Sequence, residues 1–311
     1  FPIYATQGAN KLVNETARKR RRLIMKKLLS IVLILSLIFS LAACSKPVEK
    51  EIPEESGAAE PEKNPEEQAE EPEAPEEPAA PEGTIMLAAA ASLKNCMDEE
   101  LLPMFTEQYS KITVNTTYDS SGKLQSQIEE GAGIDVFMSA AMKQMNALDE
   151  KGMIAEDSIV ELLENKIVLI VPEGSDKGIE KFEDVVKAEV IAVGDPESVP
   201  AGQYAKEALE NLGLWEQVLP LSSLGTNVTE VLNWVAEGSA DAGIVYATDA
   251  ASKDNVAVVA EAPEGSVSKV IYPAGIVKNT ANEEAAKLFI EFLQTGEAAE
   301  VFGKYGFTVN K

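Results

Sequence analysis

The chain contains no histidine, which removes His-based triads, His metal ligands and His general bases at once. What remains with chemical potential is a set of neutral hydrogen-bond donors at helix starts. Four apolar strands or loops run into helix patterns whose first turns hold small or hydroxylated residues: Ala91-Ser92, Ser120-Ser121-Gly122, Pro200-Ala201-Gly202 and Thr226-Asn227-Val228. In "VGDPESVPAGQYAKEAL", residues 193–209, a strand end enters a turn with two prolines and two glycines, and a helix pattern follows directly. A helix start leaves backbone N–H groups unpaired and carries about half a positive charge. Several starts aimed at one point would hold an anion without Lys or Arg. Each alone is an ordinary cap, so only their convergence would make a site.

The elements that must position these donors alternate. Strand patterns lie in "TIMLAAAAS", "ITVNTTYDSS", "IDVFMSA", "KIVLIVP", "VIAVGD", "AGIVYA", "VAVVAEA" and "VIYPAGIV". Between and after them lie helix patterns: Leu93, Met97, Leu101 and Phe105 at helical spacing, with Pro103 predicting a kink, then "GKLQSQIEEG", a helix near "IEKFEDVVK", "YAKEALENLG", "VTEVLNWVAEG" and "EEAAKLFIEFLQ". This alternation predicts an α/β fold with mostly parallel sheets flanked by helices. In α/β proteins the helix starts gather at the C-terminal edges of the strands, where ligands bind.

Composition narrows the function. With 311 residues, 45% hydrophobic, the chain can bury a sizeable core in one or two domains. A net charge of −25 excludes nucleic acid as a partner. The two cysteines, Cys44 and Cys96, are too few for a disulfide scaffold. Cys96, among Leu93 and Met97, reads as a buried inert thiol. Tyr204, Trp215 and Trp234 read as core, and Asp195 as a cap of its own loop. Nucleotide motifs of the G-x-G-x-x-G and G-x-x-x-x-G-K-[ST] kinds are absent.

The front of the chain has a different character. Residues 1–24 read as an upstream extension foreign to the native protein. From Met25, "MKKLLSIVLILSLIFSLAACSK" has the order of a secretory signal peptide, residues 25–43, ending at Cys44. "LAAC" resembles a bacterial lipobox, which implies a lipidated, palmitate-bearing Cys44 and an extracytoplasmic protein anchored to the cell membrane. Residues 44–82, rich in Glu and Pro, read as a disordered tether.

The folded remainder resembles a known family. "AAAASL", "SSGKLQSQIEEGAGIDVFMSA", "VGDPESVPAGQYAKEALENLGLW", "AGIVYATDA", "YPAGIV" and "AAEVFGKYGF" resemble, in order and over nearly all of 84–311, the molybdate-binding proteins of ABC importers. The resemblance implies a two-lobed periplasmic-binding-protein fold of type II with a hinge. We expect lobe 1 over 83–164 plus 275–311 and lobe 2 over 165–274, with "KIVLIVP" and "VIYPAGIV" as crossovers. It implies a ligand, molybdate or tungstate, held by Ser92, Ser121, the backbone N–H groups of Ala201 and Val228, and Tyr246. Ser120 stays open as an alternative to Ser121. The implied partners are a permease and its ATPase; no cofactor is implied, no metal beyond the molybdenum of the ion, and no oligomer beyond a monomer.

Rival readings have their own signatures. Protonated phosphate needs an acceptor, and Asp119 is the acid beside the donors, so another oxyanion reader, for phosphate or sulfate, remains the alternative. A Ser hydrolase using Ser92 or Ser121 lacks both a G-x-S-x-G elbow and a histidine. A ferric site at Tyr246 and Tyr272 would want clustered Tyr with His or carboxylates, and the chain has no histidine; a cell-wall adhesin would bind no small ion. The expectation is therefore a binder and not an enzyme.

Overall fold

The computed structural model describes residues 82–310. The readings for residues 1–24, the signal peptide, Cys44 and the tether up to 81 lie outside the described residues. Strand β1 (Gly83–Ala90) leads into a long helical segment, α1 (91–108). Then come β2 (Ile112–Asp119), α2 (Ser121–Glu129), β3 (Val136–Met138), α3 (Met142–Glu150) and β4 (Val160–Asn165). The chain continues as β5 (Ile167–Pro172), β6 (Ile191–Gly194), α4 (Pro200–Asn211), α5 (Trp215–Val218), β7 (Ser222–Gly225), α6 (Val228–Ala236), β8 (Ala242–Tyr246), α7 (Ala247–Ala251) and β9 (Val256–Glu261). It returns as β10 (Val270–Ile276), α8 (Glu283–Leu293), α9 (Gly296–Lys304) and β11 (Thr308–Val309). No helix among the described residues is long and apolar enough to cross a membrane.

The strands form two sheets, ordered β11-β4-β10-β3-β1-β2 and β7-β6-β8-β5-β9. Each sheet, with its helices, is one lobe of a type II α/β fold. Both sheets are mixed, which corrects the expectation of mostly parallel ones. β1 pairs parallel with β2 and β3, and β6 with β7 and β8, but β10 and β5 run antiparallel to their neighbours. Strands reached through a helix come in parallel. β5 and β10, reached by passage from the other sheet, do not.

One of the two passages differs from expectation. The first lies at Lys166, between β4 in one sheet and β5 in the other. The second lies between β9 and β10, before Val270. β10 pairs with β3 and β4 along its length, so residues 270–274 belong with the first sheet and not the second.

Register sets the site. Ala90 at the end of β1 stands opposite Asp119 at the end of β2. The starts of α1 and α2 therefore lie side by side. In the second sheet Gly194 stands opposite Gly225, which brings the starts of α4 and α6 together in the same way. Asp195 N–H also donates to the Gly225 carbonyl at 2.8 Å, tying the two loops.

Buried side chains hold these helices in place. Leu124 and Ile128 anchor α2, and Val231 and Val235 anchor α6, all essentially excluded from solvent. Each contributes about 1.5–3 kcal/mol on burial. Pro103 does not interrupt the helical segment α1. A π turn over Met97–Leu101 precedes it, closed by Leu102 N–H on the Met97 carbonyl. A proline cannot donate its own helical bond, and the wider turn absorbs that defect.

Candidate anion-binding site

The "VPAG" start of α4 shows how the sequence builds a donor. Asp195 accepts from Glu197 N–H at 3.0 Å through its side chain and from Val199 N–H at 2.8 Å through its carbonyl. This shapes the loop, as expected for Asp195. Pro200 then occupies the first turn without an N–H to leave orphaned, and no side chain caps the helix. Gly202 lets the helix start abut the strand, because a Cβ there would lie 1.9 Å from the Gly194 carbonyl oxygen. The Ala201 N–H lies in a turn that has no intrahelical acceptor, and Ala201 lines the cleft.

The start of α6 is capped, but selectively. Asn227 accepts from Glu230 N–H at 3.0 Å, and Glu230 reaches back to Thr226 N–H at 2.6 Å. This capping box satisfies the third residue of the helix and leaves Val228 N–H without a capping partner. At α2, Gly122 N–H donates to the Ser198 carbonyl at 2.9 Å across the cleft. No side chain caps α2 or the start of α1.

These starts converge. Ser92, Ser121, Ala201, Val228 and Tyr246 all line one small chamber between the lobes, together with Asp119, Ser120, Ala140 and Pro200. Its cavity volume is about 10 Å3, the scale of a single ordered water. At this volume any ligand, a tetrahedral ion included, requires the lobes to part.

The chamber offers donors. Ser121, fully buried, accepts from Ala140 N–H at 3.0 Å through its Oγ, so its own hydrogen is free. Ser120, 4% exposed, has an Oγ with no partner. Tyr246 donates to the Ala140 carbonyl at 3.2 Å and so latches one lobe to the other. Burial holds its phenol well above the ordinary pKa, so it stays protonated, with its one hydrogen engaged by the Ala140 carbonyl. Asp119 is the one charged residue of the lining, and it is engaged already. It accepts from Lys123 Nζ at 3.1 Å and from Ser120 N–H at 2.8 Å.

The other residues singled out in the sequence lie apart from the chamber. Cys96 is buried and donates to the Leu93 carbonyl at 3.1 Å; burial pushes its thiol up to about 12, which leaves it inert. Tyr204 and Trp215 are core residues. Tyr272 packs edge-on against Tyr246, ring centroids 5.4 Å apart. The sequence reading missed three neighbours of the site: Ala140, Asn165 and Asp249. Ala140 and Asp249 lie inside segments that carry the family resemblance, but nothing in their residue type or spacing marks them as parts of a site, and Asn165 lies in a segment with no motif of its own.

Comparison with known proteins gives this geometry a family. Residues 85–308 match the family model described as bacterial extracellular solute-binding protein. The chain belongs to the bacterial extracellular solute-binding protein family. Within reach of this family assignment, the Bacillus subtilis protein YvgL, named an ABC transporter substrate-binding lipoprotein, is 44% identical, over 72% of this chain and 86% of its own. The molybdate-binding protein ModA of Escherichia coli is 39% identical, over 73% of this chain and 90% of its own. A solved substrate-binding domain of a molybdenum ABC transporter from Clostridium difficile is similar to this chain at 37% identity with a TM-score of 0.58. That match covers 73% of this chain and 99% of that one. Solute-binding proteins of this family serve transport, and the two-lobed fold with its cleft is the family's architecture.

Proposed function

We propose that the chain is the substrate-binding subunit of an ABC importer and captures molybdate, and with it tungstate, between its lobes. The observation that carries this reading is the convergence of Ser92, Ser121, Ala201, Val228 and Tyr246 on one chamber with no Lys or Arg in its lining. A dianion there is held by hydrogen bonds and helix starts, each bond to a charged group worth about 1.5–3 kcal/mol. Similarity to proteins named molybdate-binding supports the choice of ion. Selectivity against sulfate follows from size, since a cage spaced for the larger ion stretches every bond to the smaller one. The protein binds and releases its ligand unchanged, with no catalytic step and no cofactor.

The surroundings of the site follow from the same reading. The closed lobes present a shape to a membrane permease and its ATPase. A lipid on Cys44 keeps the monomer at the outer face of the cell membrane. Cys44→Ser should release the protein from the membrane and leave ion binding intact.

Phosphate or sulfate is the rival ligand. Phosphate carries a proton at neutral pH and needs an acceptor, and both oxygens of Asp119 lie within 3.4 Å of Lys123 Nζ. That engagement favours an unprotonated ion. A thermal-shift panel of molybdate, tungstate, sulfate and phosphate, followed by calorimetry, tests the reading. A ligand at a hundred times its Kd should stabilise the fold by about 2.7 kcal/mol. Stabilisation by phosphate alone, with no heat from molybdate, would overturn it.

A further inference from the structure

Ser92 lines the chamber, yet its hydroxyl could point its hydrogen either way. Its Oγ lies 3.0 Å from the Tyr272 hydroxyl. Which atom donates is decided one residue further back. Asn165 accepts from Lys166 N–H at 2.8 Å through Oδ1. A backbone N–H can only donate, so the amide orientation of Asn165 is fixed by its partner. Its Nδ2 then donates both hydrogens, to Thr248 Oγ1 at 2.9 Å and to the Tyr272 hydroxyl at 3.2 Å. Tyr272 has one hydrogen; of its remaining polar neighbours, the Tyr246 hydroxyl and Ser92 Oγ, only Ser92 Oγ stands at ordinary hydrogen-bond geometry. It donates there, and the Ser92 hydrogen is left for the chamber. Tyr272 is fully buried, and burial keeps its phenol protonated.

From this chain of donors we infer that Tyr272 and Asn165 are positioning residues for anion binding, which orient the Ser92 hydroxyl as a donor to the ion. The inference rests on the oxyanion reading of the chamber. The arrangement parallels Ser121, whose hydrogen is freed by Ala140 N–H. The difference lies in where the relay begins. Asn165 ends β4, next to the passage between the sheets at Lys166, and Thr248 belongs to the other lobe. The amide therefore straddles the hinge, and its bonds tie the direction of the Ser92 hydroxyl to hinge geometry.

The test is a double-mutant cycle read by calorimetric titration with molybdate, using the full folded protein. Tyr272→Phe keeps the ring and should weaken binding about tenfold, the worth of one donor's orientation. In a Ser92→Ala background the same change should cost less than about twofold, because coupled residues are non-additive. Asn165→Ala should weaken binding about threefold, again only when Ser92 is present. It supplies the same cycle if Tyr272→Phe does not fold. Melting without ligand separates packing loss from orientation. An equal loss in both backgrounds assigns Tyr272 to packing alone and overturns the relay. So does an unaltered affinity in Ser92→Ala, with the oxyanion reading left standing. A wild-type protein that binds none of molybdate, tungstate, sulfate or phosphate overturns that reading and the relay together.

Discussion

On the proposed reading, the two lobes meet the ion with different chemistry. The first lobe contributes hydroxyls, at Ser92, Ser120 and Ser121. The second contributes backbone N–H groups at Ala201 and Val228, joined by the phenol of Tyr246. A hydroxyl rotates, so it needs a neighbour to set its direction, and Ala140 N–H and Tyr272 do this. An amide cannot rotate, so it needs its helix seated correctly. Gly202 against Gly194 and the Asn227 cap do that. Their acids differ as well. Asp119 in the first lobe is partly exposed and paired with Lys123, whereas Asp249 in the second is 7% exposed with Oδ2 unpartnered. One half is tuned by side chains and the other by backbone and burial, so substitutions should separate affinity from stability.

The buried acid should show the largest effect. Burial pushes the Asp249 carboxyl up to about 7, against a backbone hydrogen bond from Tyr246 that lowers it. In the unfolded chain the same group titrates near 4. A pKa raised in the folded state contributes stability that is fully present below about pH 4 and lost as pH rises to about 7. The difference is about 4 kcal/mol at most. The phenols that feel its charge, Tyr246 and Tyr272, are pushed up by burial and stay neutral through this range. Urea titrations should find wild-type stability falling between pH 5 and 7 relative to Asp249→Asn. Parallel pH profiles for the two proteins would show that Asp249 is solvated or paired.

Next comes the backbone half itself. Gly202→Ala places a methyl carbon 1.9 Å from the Gly194 carbonyl oxygen, where no flexible side chain can yield. The start of α4 must move. We expect a loss of about 3 kcal/mol in stability, as for an overpacked core, and of molybdate affinity with it, because Ala201 N–H moves too. Equilibrium unfolding and calorimetry on the same sample measure both. Wild-type affinity in this variant would remove Ala201 from the ligand set.

The hydroxyl half should behave otherwise. Ser121→Ala removes one donor to a charged ligand and should weaken molybdate by roughly tenfold to a hundredfold. Its ligand-free melting should fall far less than that of Gly202→Ala. Its hydroxyl accepts one backbone N–H, and the helix behind it stays anchored by Leu124 and Ile128. Equal stability losses in the two variants would abolish the distinction between the lobes.

Much of this division is visible in the sequence, though unevenly. β1, β2, α2 and α6 stand out because apolar runs and helical spacing coincide with turn residues. β4 does not, for "VELLEN" carries two glutamates and an asparagine, and it is a strand because β10 and β11 pair with it. α3 and α9 bury apolar faces as marked as that of α2, through Met145 and Leu148 and through Val301 and Phe302, and the sequence reading passes over them. Strand direction has no local signature, so the mixed sheets and the passage before Val270 emerge only from pairing. Helix starts are readable as donors, but their convergence is not. The five chamber residues came from family resemblance, and the relay from Asn165 to Tyr272 joins residues 107 apart in the chain.

The smallest expected effect lies at Asp119 and separates ligands instead of lobes. Its carboxylate faces the chamber lining, but Lys123 Nζ and Ser120 N–H already engage it. Asp119→Asn removes a negative charge from beside a dianion and leaves Lys123 without its pair. Both changes favour an unprotonated anion slightly. The pair is partly exposed and screened, so the gain in molybdate affinity should stay within about threefold, the scale of a surface ion pair. Phosphate would respond with the opposite sign, because an asparagine oxygen is a poorer acceptor for its proton and Lys123 would no longer be held by a charge. Calorimetry of the one variant against both ions therefore reads the sign directly. A large loss of phosphate binding, with molybdate silent in wild type and variant alike, would make Asp119 an acceptor in the site and end the account of a chamber built of donors.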